Sequence, residues 1–139
     1  MQFLKRRANP QKAVTLSELL LATAILAFVL SGLLLLFTRC ILLNDENRNL
    51  AAATSHAEYV LEDIRQKVFS TVQAGISNGS WDWNTSQISS QGLTALSNEA
   101  VDTQASGSNP LQVTVTVTWT DRSQRPRSAS LQTSITNYQ

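Results

Sequence analysis

From Leu19 to Thr38 the chain carries twenty residues without one charged side chain. A helix of about 20 mainly apolar residues spans the ~30 Å hydrocarbon core of a bilayer. A core helix of a soluble domain needs only one apolar stripe, and this run is apolar on every side. It therefore predicts a membrane span, placed here at 14–43. The mean hydropathy of −0.09 hides this segment because the remainder is polar. Four bases, Lys5, Arg6, Arg7 and Lys12, precede the uncharged run, and only Arg39 and Arg48 follow it closely. Basic residues stay on the cytoplasmic side, so the N-terminus is expected in the cytoplasm and the C-terminal domain across the membrane.

The first 13 residues, MQFLKRRANPQKA, are basic and hold no acid; without them seven bases face ten acids. An ordinary signal peptide has an apolar core of about 7–15 residues ending in small residues at a cleavage site. This run is longer, and LLLLFTRCILLN offers no such site. A lipoprotein would need small residues before its cysteine, and Cys40 follows Phe37, Thr38 and Arg39. A retained anchor fits better. Glu18 stands at its entrance, where a carboxylate at the bilayer centre would cost about 2.5–3.5 kcal/mol. Two readings of it are open: a group resting among the headgroups, or one that waits for a positive partner.

The basic leader, a small residue, Ala13-Val14-Thr15-Leu16-Ser17-Glu18 and a long apolar helix together resemble the N-terminal signature of type IV pilins and pseudopilins. The resemblance implies a prepilin peptidase that cuts between Ala13 and Val14 and N-methylates Val14. It also implies an assembly charge pair between Glu18 and the Val14 amine of a neighbouring subunit. Such an amine ordinarily titrates at about 7.7–8.0. The family usually has glycine where this chain has Ala13, and phenylalanine or methionine where it has Val14. With no proline in the apolar half and no cysteine pair near the C-terminus, the chain is most similar to a PilV-type minor pilin or an I-type minor pseudopilin of type II secretion. Glu18 argues against the tip-most pseudopilin, which lacks it.

Beyond the polar exit NDENRN, Ala53, Ala57, Leu61, Ile64, Val68 and Val72 recur at helical spacing. The pattern predicts an amphipathic helix over 44–74, continuous with the span and closed by Gly75 as its cap. Residues 75–110 read as loop, with a short helix around Gln91–Ser97. Trp81 and Trp83 form either an exposed contact patch or an aromatic pair packed on the helix or a sheet, and the energetics of burying large aromatics favour packing. Strict alternation of Leu111, Val113, Val115, Val117 and Trp119 with polar residues predicts a half-buried strand. Ala129, Leu131, Thr133 and Ile135 repeat it after a polar turn, giving an antiparallel hairpin over 111–136. Arg122, Arg125 and Arg127 on that turn are either solvated or aimed at an acidic neighbouring subunit. The expected fold is α+β and pilin-like, a long N-terminal helix on a small antiparallel sheet, in a periplasmic domain spanning 44–139.

Nothing points to catalysis. There is no glycine-rich phosphate loop or GxSxG, Cys40 lies at the membrane boundary, and His56 is the lone histidine. One cysteine excludes an intrachain disulfide. Asp82, Glu99 and Asp102 carry charge suited to calcium but lack EF-hand spacing, so no metal site or cofactor is assigned. The sequons at Asn78 and Asn84 are taken as chance. A net charge of +1 gives no case for nucleic acid. The resemblance implies a non-enzymatic subunit of a type IV pilus or type II secretion filament in a bacterial inner membrane. Its partners would be prepilin peptidase, other pilin or pseudopilin subunits and inner-membrane lipid. The alternative is a single-pass anchored periplasmic binding protein that never assembles and holds a ligand with its tryptophan loop.

Overall fold

The structure is a computed structural model that describes residues 15–137. The chain divides into two compact units after Leu42. Helix α1 (Leu16–Arg65) begins in the first and ends in the second.

Every described residue of the first unit is exposed. This stretch makes α1 long and apolar enough to cross a membrane, and none of its most apolar window is buried in the protein. Its few polar side chains are compatible with hydrocarbon for a local reason. The hydroxyls of Thr23, Ser31 and Thr38 donate to the carbonyls of Leu20, Ala27 and Leu34 at 2.8–3.0 Å, so each is satisfied by its own helix.

In the second unit α1 packs on a sheet, which gives the α+β architecture expected from the sequence. The elements after α1 are α2 (Phe69–Ser77), β1 (Trp83–Asn84), α3 (Thr85–Ser90), β2 (Ala100–Ser106), β3 (Leu111–Thr120) and β4 (Pro126–Ile135). The strands lie in the order β1-β2-β3-β4, all antiparallel. The hairpin is in the expected register, with Leu111 opposite Ile135 and Thr120 opposite Pro126. Leu111, Val113, Val115, Val117 and Trp119 are all buried, against Ala53, Ala57, Val60, Leu61 and Ile64 of α1 in one core. The two alanines are fully buried.

The helix expected over 44–74 is two helices. Alignment at 3.6-residue spacing does carry Val68 and Val72 onto the apolar face, but α1 stops at Arg65. Val68 is extended (φ −66°, ψ 132°) and exposed, and α2 restarts the helix so that Val72 and Ile76 reach the core. Length explains the break. Residues 46–65 rise about 30 Å as a helix, close to the ~33 Å of a ten-residue strand. A straight continuation would outrun the sheet it must cover.

Gly75 is not the cap; it lies inside α2. A Cβ there would stand 2.6 Å from a ring carbon of Trp81, so glycine is needed for the close approach. Gly79 ends the helix with φ +67°. The Ser80 N–H donates to the Gly75 carbonyl and the Gly79 N–H to that of Ile76, both at 3.0 Å, a Schellman closure. The stretch read as loop over 75–110 also holds β1, α3 and β2. The short helix lies at 85–90 rather than around 91–97. Asn84, half of an apparent sequon, caps it: its side chain accepts from the N–H groups of Ser86 and Gln87, and the Gln87 side chain accepts from the Asn84 N–H.

Candidate functional site

The first candidate is the entrance to α1. Ala13 and Val14, the expected cleavage and methylation positions, lie outside the described residues. Glu18 lies in the first turn of α1 and is exposed. Its Oε2 accepts from the Thr15 N–H and from the Thr15 hydroxyl, both at 3.0 Å. The Glu18 N–H donates to the Thr15 hydroxyl at 3.3 Å. This is a reciprocal capping box, Thr-x-x-Glu, which satisfies helix N–H groups that have no intrahelical partner. Thr15-Leu16-Ser17-Glu18 carried that signal in the sequence. The carboxylate thus has a local role in starting its own helix.

The second unit holds a buried histidine–carboxylate contact that sequence reasoning missed. Glu99 is 2% exposed. His56 Nδ1 lies 2.6 Å from Glu99 Oε1, and the Leu96 N–H donates to Glu99 Oε2 at 2.6 Å. With Glu99 ionised, Nδ1 must carry the proton, because a carboxylate only accepts. The Thr85 hydroxyl also donates to the Glu99 carbonyl. One residue thereby fastens α1, the start of α3 and the loop before β2 together. His56 and Glu99 are both buried, and among the described residues every buried side-chain polar atom has a partner.

The tryptophans resolve in favour of packing. Trp81 is buried, and its indole N–H donates to Asp63 Oδ2 at 2.7 Å. That bond holds the Asp63 carboxyl below its ordinary 3.8, with the Lys67 ammonium helping and partial burial opposing. Trp83 is half-buried, its ring centroid 6.1 Å from that of Tyr59. Asp82 is spent on the sheet: the Thr103 N–H donates to it at 2.9 Å, continuing the edge of β2 where two-residue β1 runs out. Asp102 accepts from the Gln104 amide. Asp82, Glu99 and Asp102 therefore have separate engagements, and among the described residues no cluster of three metal-ligating side chains occurs.

The turn arginines meet acids of their own chain. Arg122 Nη1 lies 2.8 Å from Asp45 Oδ2, and Arg127 Nη2 bonds Glu46, both acids on α1. Asp121 is the keystone of the turn. Its Oδ1 accepts from the N–H groups of Ser123 and Arg125 at 2.8 and 2.9 Å, and its Oδ2 from Arg125 Nε and Arg127 Nε, both at 3.1 Å. These donors, the Arg125 N–H foremost, hold its carboxyl below the ordinary value against the opposing effect of burial. Comparison with known proteins returns no match to this chain among family models, curated proteins or solved structures.

Proposed function

We propose that this chain is a membrane-anchored, non-enzymatic structural subunit of the pilin or pseudopilin kind. It is processed before Val14 by a prepilin peptidase and assembles into a type IV pilus or type II secretion filament through its N-terminal helix. The observation that carries the reading is α1 itself. Its first half is wholly exposed, free of charge from Leu19 to Thr38, and opens on a single capped carboxylate, while its second half anchors a self-contained α+β unit. An apolar surface of that size needs lipid or other helices to cover it.

The capping box sharpens the role of Glu18. Thr15 and Glu18 both follow the proposed cut, so the cap survives processing. In a filament core, away from headgroups, the carboxylate gains a neighbour's Val14 amine as its counter-charge. Glutamine at 18 can still complete the capping box but has no charge to pair. Glu18→Gln is therefore expected to insert, be cut and fold normally, yet fail to co-purify with partner pilins. Glu18→Leu also loses the side chain's half of the box, while its backbone N–H can still donate to the Thr15 hydroxyl. Co-purification of the Gln variant at parental yield would leave Glu18 as a helix cap only.

A further inference from the structure

The arginines of the β3–β4 turn sit at a defined level of the protein. The uncharged run ends at Thr38 and the last apolar residue before the polar exit is Leu43. Asp45 follows within about 3–10 Å of helix rise, the depth of the headgroup layer. Arg122 pairs with Asp45, and Arg125 and Arg127 with Glu46. The turn is thereby tied to the first residues that α1 contributes to the second unit.

Charge is sorted along the second unit. At the end of the unit nearest Leu43 stand Arg48, Arg122, Arg125 and Arg127 against Asp45, Glu46 and Asp121; the rest of residues 43–139 holds two bases against six acids. The opposite turn of the sheet, Gly107–Pro110, has no charge. Asp121 is turned inward, its side chain 6% exposed and engaged by four donors, whereas the side chains of Arg122 and Arg125 are 75% and 62% exposed. Arg48 lines, with Arg122, Asp45, Ser97, Thr120 and Gln124, an open cleft of about 630 Å³.

We propose that the β3–β4 turn and Arg48 form a docking surface for anionic phospholipid headgroups of the leaflet from which α1 emerges. The guanidinium groups of Arg48, Arg122 and Arg125 would engage lipid phosphates, to which their planar donor forks are matched. Basic side chains at a membrane surface are attracted to anionic lipid over a Debye length. Arg122 can exchange Asp45 for phosphate without exposing a buried charge, because both are at the surface. This surface rests on α1 crossing the bilayer and not on filament assembly.

The test is amide hydrogen exchange on the full chain in nanodiscs of phosphatidylcholine alone or of phosphatidylcholine with phosphatidylglycerol. The amides of residues 122–125 are expected to exchange about fivefold more slowly with phosphatidylglycerol, the factor for one engaged arginine. The loop at 107–110 should not change. High salt and Arg122→Gln/Arg125→Gln should abolish the difference. Arg48→Gln, which removes no ion pair seen among the described residues, should reduce it with the fold intact. Equal rates in both lipids would overturn the proposal while leaving the anchor standing. A chain that does not enter the nanodiscs would overturn both.

Discussion

Glu99 shows how much a single side chain decides in this protein. A carboxylate removed from water is tolerated only when its lone pairs are met, and here His56 and the Leu96 N–H meet them. His56→Ala should cost about 1–3 kcal/mol, the penalty of a buried acceptor short of a donor. Glu99→Ala combined with His56→Ala should cost less than the two singles added, because residues in contact couple. Urea melts of residues 43–139 would measure both; strict additivity would mean the pair does not interact. Asp63 makes a second test through pH. Its folded value lies below the ordinary 3.8, so its stabilisation is full above that value and is lost as pH falls through the folded one. Trp81→Phe removes the indole donor and returns Asp63 toward its ordinary range. Unfolding free energy should then fall more steeply below pH 3.8 in the parent than in the variant, whatever their absolute stabilities. Parallel curves would contradict the bond's role. Neither His56–Glu99 nor Trp81–Asp63 was legible beforehand, because the partners lie 43 and 18 residues apart and no local pattern joins them.

At the scale of elements, periodicity was a good guide where one face met one core. The alternation of β3 named every buried residue of that strand, and the apolar spacing of α1 found Ala53, Ala57, Leu61 and Ile64. Ile64→Ala or Leu61→Ala should cost about 2–5 kcal/mol. Gly75→Ala should also destabilise, although alanine favours helix by about 1 kcal/mol, because its Cβ would collide with Trp81. Thermal melts that place all three at parental stability would mean the α1–α2–Trp81 packing is wrong. Periodicity failed where length decided. Val68 fits the helical repeat but sits where α1 has to turn, and nothing in the repeat reports the end of the sheet. Strand β2 escaped notice because Ala100–Ser106 buries only Val101 and Thr103, with the small Ala105 packed at the core's edge. Its pairing with β3 comes from the whole sheet and not from its own composition. The caps at Thr15, Asn84 and Gly79 were readable as Thr-x-x-Glu, Asn-x-x-Gln and Asn-Gly, and each settles an element boundary that hydrophobicity left vague.

At the scale of the molecule, the two units differ in what their apolar residues meet. The second closes its own core, with α1 contributing from Ala53 onward. The first buries nothing in the described residues and presents Leu, Ile, Val and Phe on every side of the helix. The division was visible in the sequence because a twenty-residue uncharged run admits few environments. What the run does not specify is its fate: an anchor stays in lipid, whereas a filament subunit must be cut and then extracted. Processing separates these outcomes, so intact-mass measurement after co-expression with a prepilin peptidase tests the central claim most directly. The account predicts a chain shortened by 13 residues, beginning at Val14 and carrying one added methyl. A full-length chain, or a cut near Cys40, would contradict it.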